Sequence, residues 1–207
     1  MKIAIIGANG KTGRLTVEKA IAAGHTVRAL VRDPTKLNAP AGVEVVSGDA
    51  NDAAAVDRVL QGCDAAISAL GITGSQTSVC STATRLVLKA MPAANVRRYV
   101  TIGGAGLDMP GDEKDLGGKV ISFLVRHLSP AVFNDKQKEA LSLLESNVDW
   151  IMARPPRLVD GPGTGKFKTS LLRSPGIKIQ RADLADFLVQ AVSNDEFVRR
   201  APFVASG

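Results

Sequence analysis

The feature that most constrains the fold of this chain is a strand-like segment that runs directly into a glycine-rich turn. The apolar residues 3–6 are followed at once by Gly7-Ala8-Asn9-Gly10-Lys11-Thr12-Gly13, and a helical pattern begins inside that turn. In such a unit the first glycine permits a tight turn, the second lets the backbone approach a ligand, and the third lets the helix pack closely on the strand. The pattern predicts a strand-helix-strand unit with an anion site at the start of the helix.

The rest of the chain repeats short apolar runs between helical stretches, which is typical of a parallel sheet with crossover helices. Strands are predicted at residues 3–6, 26–31, 43–46, 64–70, 98–102, 150–153 and 203–205. Helices are predicted at 12–23, 52–60, 77–91 (stopping before Pro92), 135–145 and 183–192. With 207 residues, 45% of them apolar, one core is expected. We therefore predict a single-domain α/β protein with a doubly wound parallel sheet, the Rossmann fold, over residues 1–207.

Doubly wound sheets bind ligands beyond the carboxyl ends of their strands, so the residues that follow the strands should line one crevice. These residues are Gly7 onward, Arg32, Asp49, Leu70-Gly71, Gly103-Gly104 and Arg154-Pro155-Pro156. Residues 155–181 are expected to form the substrate-side rim of this crevice. Residues 103–118 are glycine-rich enough for a mobile loop.

The glycine loop favours a dinucleotide, whose pyrophosphate would contact Gly7, Asn9, Gly10, Lys11, Thr12 and Gly13. The tripeptide Gly10-Lys11-Thr12 also resembles the end of a P-loop, whose pattern is G-x-x-x-x-G-K-[ST]. Five residues before Gly10, however, stands Ile5, which lies within the predicted strand. Too few loop residues remain to encircle a phosphate, so the spacing disfavours an ATPase.

The residue after the second strand predicts the type of dinucleotide. Binders of NAD commonly carry an acidic residue there, whereas this chain has Arg32, whose guanidinium can pair with a 2′-phosphate. Lys36 adds a second positive charge, while Asp33 could hold a ribose hydroxyl and permit NAD. We expect NADP, with NAD as a weaker alternative; the competing interpretation is that Arg32 is a solvated surface residue.

The ordered motifs resemble those of the NmrA-like, atypical short-chain dehydrogenases over nearly the whole chain. They are Gly7 to Gly13, Leu30-Val31-Arg32-Asp33, Gly48-Asp49, Leu70-Gly71, Val100 to Gly104 and Arg154-Pro155-Pro156. Within that group the chain is most similar to the small flavin reductases related to biliverdin-IXβ reductase. The resemblance implies NADPH-dependent reduction of flavins or other planar acceptors by a monomer. It also implies cofactor contacts at Arg32, Asp49, Ala50, Ala69, Leu70 and Gly71; Gly103 and Pro155 join them at the same edge.

The chain departs from these relatives where the chemistry would occur. The serine that biliverdin-IXβ reductase carries after the fifth strand corresponds to Gly104, and the histidine after the paired prolines corresponds to Arg157. Biliverdin reduction is therefore in doubt. Lys136 stands roughly where relatives carry a polar active-site residue, so Lys136 and Arg157 are candidate substrate contacts, although a lone charge is more often a surface residue.

The usual short-chain dehydrogenase acid, a Tyr-x-x-x-Lys pair, is missing. The single tyrosine, Tyr99, lies in a predicted buried strand and is followed four residues later by Gly103. Carbonyl reduction by that route is disfavoured because it needs an acid at the developing alkoxide. Hydride transfer to a flavin or quinone needs only orientation and a proton from water. The alternative is a regulatory protein that senses NADP(H) without turnover.

The positive charge is concentrated in one stretch. Residues 154–181 contain seven basic residues and one acidic residue, Asp160, and so carry the whole net charge of +6. This charge suggests an anionic acceptor, such as a flavin phosphate or an acidic quinone or bilin, or else a solvated face that serves solubility or weak nonspecific polyanion binding. Aromatic residues make up only 4% of the chain, and no nucleic-acid-binding motif appears.

The remaining signals predict a cytoplasmic protein without a bound metal. The apolar amino terminus stops at Gly7, too short for a signal peptide, and no apolar run approaches a membrane span. Cys63, Cys80, His25 and His127 show no metal-ligand spacing.

Overall fold

Six parallel strands form the central sheet in the computed structural model, which describes residues 1–72 and 77–207. The strands are β1 (Lys2–Ile6), β2 (Thr26–Val31), β3 (Val43–Ser47), β4 (Ala65–Ser68), β5 (Arg98–Ile102) and β6 (Asp149–Ala153). Their order, β3-β2-β1-β4-β5-β6, reverses direction between β1 and β4. This arrangement confirms the predicted doubly wound sheet and leaves a crevice beyond the carboxyl ends of β1 and β4.

Helices cover both faces of the sheet. They are α1 (Lys11–Ala22), α2 (Ala53–Leu60), α3 (Val79–Ala94), α4 (Leu116–Leu128), α5 (Pro130–Leu144) and α6 (Arg181–Gln190). Alternate residues of β1 enter different cores: Ile3 and Ile5 pack in the core with α1 and α6, whereas Ala4 and Ile6 pack in the core with α2, α3 and α5. Burial on both faces explains why β1 is a continuous apolar run.

Two helix boundaries differ from the prediction by three residues or more. The third helix does not stop before Pro92 but continues to Ala94, because a proline in the last turn removes only one backbone hydrogen bond. The helix ends at Asn95, whose left-handed backbone (φ 54°) turns the chain away. Helix α5 begins at Pro130 rather than residue 135, and proline suits the first helical position because its missing N–H has no helical partner there.

The segment after β6 is more ordered than the sequence predicts. Strands β7 (Arg157–Val159) and β9 (Lys178–Gln180) pair in parallel. Strand β8 (Phe167–Ser170) pairs antiparallel with β10 (Phe203–Ser206). The predicted last strand therefore exists, but its regular partner is β8 and it joins the main sheet through an isolated bridge to Arg154.

The glycine-rich segment predicted as a mobile loop makes several specific contacts. The Ala105 N–H donates to the Pro155 carbonyl at 2.9 Å, and the Glu113 N–H donates to Leu172 at 2.9 Å. Its last three residues belong to α4, a helix the prediction missed, which the Asp115 side chain caps by accepting from the Gly118 N–H at 2.7 Å. The segment thus connects the main sheet to the residues around β8.

Candidate cofactor and substrate site

The glycine loop is shaped by backbone packing. Gly7 has φ +82°, a conformation that favours glycine, and its carbonyl accepts the Gly10 N–H at 3.0 Å. A Cβ atom on Gly13 would collide with the Gly7 carbonyl oxygen and meet the Ala8 Cα at 3.0 Å. The first and third glycines therefore perform the tight-turn and close-packing roles that their spacing predicts, and α1 starts directly after Gly10.

Side chains tie this loop to the end of β2. The Asn9 Nδ2 donates to the Asp33 carbonyl at 2.9 Å, and Arg14 donates from Nε to the Asn9 carbonyl at 3.1 Å and from Nη2 to the Lys36 carbonyl at 2.5 Å. Sequence reasoning missed Arg14. A signal existed, since a cation in the first turn of a helix opposes the helix dipole and so suggests a local partner.

The turn after β2 places two cations at the same edge. Arg32 and Lys36 are exposed and line the crevice, as does Asp33. The Asp33 carboxylate accepts hydrogen bonds from the Thr35 N–H and hydroxyl and lies 3.2 Å from the Lys36 ammonium. These bonds, that from Thr35 first, lower the pKa of Asp33, so the carboxylate is ionised and engaged within its own turn.

One cavity of about 1180 Å³ runs along the carboxyl edge of the sheet. It is lined by nearly all the residues predicted to bind the cofactor: Gly7, Asn9, Gly10, Lys11, Thr12, Arg32, Lys36, Asp49, Ala50, Ala69, Leu70, Gly71, Gly103 and Pro155. Gly13 is the exception, because it lies beneath the loop against Gly7. The candidate substrate contacts Gly104, Lys136 and Arg157 line the same cavity.

Lys136 lies at the wall of this cavity with its ammonium buried. Its Nζ donates to the Ile102 carbonyl at 2.6 Å, to Glu139 Oε2 at 2.8 Å and to the Leu70 carbonyl at 3.4 Å. Burial alone would lower the pKa of Lys136, but the Glu139 carboxylate, followed by Cys80, raises it above its usual value. Its three N–H donors thus link the segment after β4 and the last residue of β5 to α5.

Tyr99 belongs to the network behind Lys136 rather than to the cavity wall. Thr84 and Thr101 donate to Glu139 Oε1 at 3.0 and 2.6 Å, and the Tyr99 hydroxyl lies 2.8 Å from Thr84 Oγ1. Burial, ahead of the nearby Glu139 charge, raises the pKa of Tyr99. The phenol stays protonated and packed in the core, in agreement with the packing role predicted for it.

The other half of the cavity is apolar and depends on elements that sequence reasoning missed. Ile121 and Val125 from α4, Val132 and Phe133 from the start of α5, and Ile177 before β9 line it. A Cβ added to Gly104 would meet nothing within 4 Å, so the apolar half of the cavity has open space beside this residue. The available signal was the apolar spacing within residues 116–128, which favours a helix.

The basic stretch contributes less to the cavity than its charge suggests. Of its seven basic residues, only Arg157 and Arg181 are among the described residues that line the cavity. Arg154, expected at the crevice, is instead buried and bound to Asp112, with its guanidinium 3.8 Å from the centre of the Phe203 ring. Arg154 turns away from the crevice because Asp112, in the loop after β5, offers a carboxylate that binds the guanidinium through both oxygens.

Within residues 1–72 and 77–207, no group of three or more His, Cys, Asp or Glu side chains has the arrangement to hold a metal ion. In the same residues no helix is both long and apolar enough to cross a bilayer.

Comparison with known proteins agrees with this geometry. A sequence profile described as NAD(P)H-binding matches residues 7–195, from the first glycine of the loop to beyond α6. The chain belongs to this NAD(P)H-binding family. Its ligand is thus a nicotinamide dinucleotide, and the resemblance inferred from the motifs is confirmed at the family level.

Relatives and solved structures extend the comparison. The chain is 28% identical over 172 residues to the uncharacterized protein YwnB of Bacillus subtilis (strain 168), covering 81% of this chain and 78% of that protein. It is 30% identical over 154 residues to (4-alkanoyl-5-oxo-2,5-dihydrofuran-3-yl)methyl phosphate reductase of Streptomyces griseus, covering 74% of this chain but only 46% of that protein. Among solved structures, ChuY of Escherichia coli O157:H7, described as an anaerobilin reductase, has a TM-score of 0.82 at 24% identity, covering 100% of this chain and 97% of ChuY.

Proposed function

We propose that this chain is an NADPH-dependent reductase that transfers hydride to a flavin, a quinone or a similar planar acceptor. The observation that carries the proposal is the division of one cavity into two halves. One half is lined by the glycine loop, the end of β2 and the residues after β4, which are the elements that hold a dinucleotide in a fold of this type. The other half is apolar and adjoins Gly103 and Gly104, where the nicotinamide would end.

The preference for NADPH rests on the turn after β2. Arg32 and Lys36 line the cavity there, and a guanidinium can hold a 2′-phosphate through two parallel hydrogen bonds. The carboxylate of that turn, Asp33, already accepts bonds from Thr35 and pairs with Lys36. NAD remains the weaker cofactor because it lacks the 2′-phosphate.

The reaction needs little acid–base chemistry from the protein. A reduced nicotinamide dinucleotide held by the glycine loop and Arg32 would supply a hydride, with its electron pair, to an electron-poor ring, and water would supply the proton that completes reduction. Gly104 leaves room for a flat ring beside the nicotinamide, and Val132 and Phe133 offer apolar walls against which it can stack. Orientation is then the main source of rate enhancement.

Lys136 has a supporting part in this proposal. Because its N–H donors are directed at the Ile102 and Leu70 carbonyls and at Glu139, it holds the strand ends that flank the reacting rings. Arg157 is exposed at the opening and suits an acceptor that carries a carboxylate or phosphate. ChuY is described as an anaerobilin reductase and the Streptomyces relative as the reductase of a phosphate ester, and these descriptions support an anionic acceptor.

A direct assay tests the proposal. The protein is mixed with NADPH and FMN, riboflavin or a water-soluble quinone, and the loss of reduced-nicotinamide absorbance is followed. We expect oxidation with at least one acceptor and a lower KM for FMN than for riboflavin. Tight NADPH binding without oxidation across these acceptors would instead favour an NADP(H) sensor, a candidate consistent with the bare Gly104 position and the buried Tyr99.

A further inference from the structure

Three charged side chains from distant parts of the chain meet beside the glycine loop. Asp160, directly after β7, lies 3.1 Å from the Lys11 ammonium through one oxygen and 2.7 Å from the Arg181 Nε through the other. Lys11 is the first residue of α1 and Arg181 the first residue of α6. We refer to Lys11, Asp160 and Arg181 as the cation pair and its carboxylate.

The two cations face the cavity, while the carboxylate does not. Lys11 and Arg181 both line the cavity, whereas Asp160 is not among its lining residues. Asp160 is well exposed, and its hydrogen bonds from Arg181 and then Lys11 lower its pKa, so it remains ionised at neutral pH. The carboxylate therefore holds the two cations from outside the cavity.

Both cations keep donors that Asp160 does not use. Arg181 contacts the carboxylate through Nε, and within the described residues its two terminal amino groups have no hydrogen-bond acceptor. Lys11 directs one of three N–H donors at Asp160. A guanidinium edge and an ammonium on one side of a cavity are the groups that bind a phosphoryl oxygen.

The position of Arg181 requires a nearby anion, and Asp160 supplies one. A cation at the first residue of a helix opposes the helix dipole, and Arg181 is only 21% exposed. Counting Asp160, the three side chains still carry one net positive charge beside the amino terminus of α1. This end of α1 attracts anions through its free N–H groups as well.

We propose that Lys11 and Arg181, oriented by Asp160, bind a phosphoryl group of a ligand in this cavity. The inference rests on dinucleotide binding at the glycine loop, and it adds Arg181 as a binding residue and Asp160 as a positioning residue. Because Lys11 belongs to the glycine loop, the pyrophosphate of the dinucleotide is the first source of that group. The phosphate of an acceptor such as FMN is the second.

Replacement of Arg181 separates these sources. Arg181→Met keeps the length and apolar stem, and Arg173→Met is the matched control, since Arg173 is an exposed arginine of the same rim that does not line the cavity. Kd is measured for NADPH and for NADH by fluorescence titration, KM for FMN and for riboflavin by NADPH oxidation, and Tm for each variant.

The pyrophosphate is common to both nucleotides. We therefore expect Arg181→Met to raise the Kd for NADPH and the Kd for NADH by the same factor, about tenfold. Unchanged nucleotide Kd values with a raised KM for FMN but not for riboflavin would support the same site with the acceptor as its source. A fall in Tm with unchanged Kd and KM values would overturn the proposal, because the three side chains would then only brace the fold. Failure of the unaltered protein to bind either nucleotide would overturn dinucleotide binding itself and would be recognised before any variant is compared.

A double-mutant cycle tests the part played by Asp160. Without the carboxylate the guanidinium is no longer held toward the cavity. Arg181→Met should therefore raise the Kd for NADPH by threefold or less in an Asp160→Asn background, against about tenfold in the original chain. The same factor in both backgrounds would show that Asp160 does not position Arg181.

Discussion

The guanidinium of Arg154 grips the carboxylate of Asp112 through two hydrogen bonds of 2.7 Å each. Arg154 follows β6 and is 1% exposed, while Asp112 belongs to the segment after β5 and is 10% exposed. The Arg154 Nε also donates to the Ala201 carbonyl at 2.7 Å. This pair joins the segment after β5, the end of β6 and the chain before β10, and so fixes one border of the cavity.

Asp112→Ala should destabilise the fold strongly. The variant leaves the buried Arg154 charge without its carboxylate, which costs about 3–5 kcal/mol in comparable buried pairs. Urea unfolding measures the change. Asp57→Ala is the control, because Asp57 is an exposed residue of α2 and its replacement should change the free energy of unfolding by about 0.5 kcal/mol or less. Equal losses in the two variants would contradict the role given to Arg154.

Gly13→Ala should disturb the contact between α1 and the glycine loop. The added methyl group would collide with the Gly7 carbonyl oxygen, and overpacking of this kind costs about 1–3 kcal/mol. NADPH affinity should fall as well, since the loop must move. Gly117→Ala, whose new Cβ would lie 3.5 Å from its nearest neighbour, should leave the free energy of unfolding unchanged or slightly higher. A variant at Gly13 with full stability would refute the close-packing role.

Arg32→Ala should weaken the binding of NADPH but not that of NADH. If the guanidinium holds the 2′-phosphate, Kd for NADPH rises about ten- to a hundredfold while Kd for NADH changes by about twofold or less. Fluorescence titration with both nucleotides gives the ratio. Arg85→Ala, an exposed arginine of α3 outside the cavity, should change neither value. Equal losses for NADPH and NADH would argue against NADP preference.

Tyr99→Phe should leave the reductase reaction nearly unchanged. The phenol is buried, its raised pKa keeps it protonated, and it does not line the cavity, so it cannot deliver a proton to the acceptor. We expect kcat and its pH profile to stay within about twofold, with roughly 1 kcal/mol of stability lost with the hydroxyl's hydrogen bond. A large fall in kcat at unchanged KM would show that Tyr99 acts in catalysis.

Both cysteines should resist alkylation in the folded protein. Burial raises the pKa of the Cys63 thiol to about 11 and that of Cys80 to about 12, so hardly any thiolate forms at pH 8. Iodoacetamide at pH 8, followed by mass measurement, should label neither thiol until urea is added. Rapid labelling of Cys80 without urea would mean that the wall behind Lys136 opens.

The sheet and the cofactor half of the cavity could be predicted because their signals are local. Buried parallel strands are continuous apolar runs, and Gly7 and Gly13 each have a steric reason to be glycine. The fifth strand coincides with its predicted range, 98–102. The fourth, predicted at 64–70, ends at Ser68 because the chain must leave the sheet to form the cavity wall with Leu70.

The acceptor half could not be predicted because it depends on contacts between distant residues. Arg154 looked like a crevice residue from its position after β6, but its partner Asp112 lies 42 positions earlier. Helix α4 was missed because its glycines, Gly117 and Gly118, suggested a loop, while the N-cap at Asp115 starts a helix there. Lys136 was found by position, but its three acceptors come from three separate elements.

The collision that reserves Gly13 for glycine has a consequence for the thermodynamics of binding. Since α1 rests directly on the Gly7 carbonyl, the loop between them acquires its shape when the first strand and helix pack together, before any nucleotide arrives. Those residues lose their conformational entropy during folding, so nucleotide binding requires no further loss from them. The pyrophosphate end of the nucleotide site should therefore be preorganised, which favours tight binding.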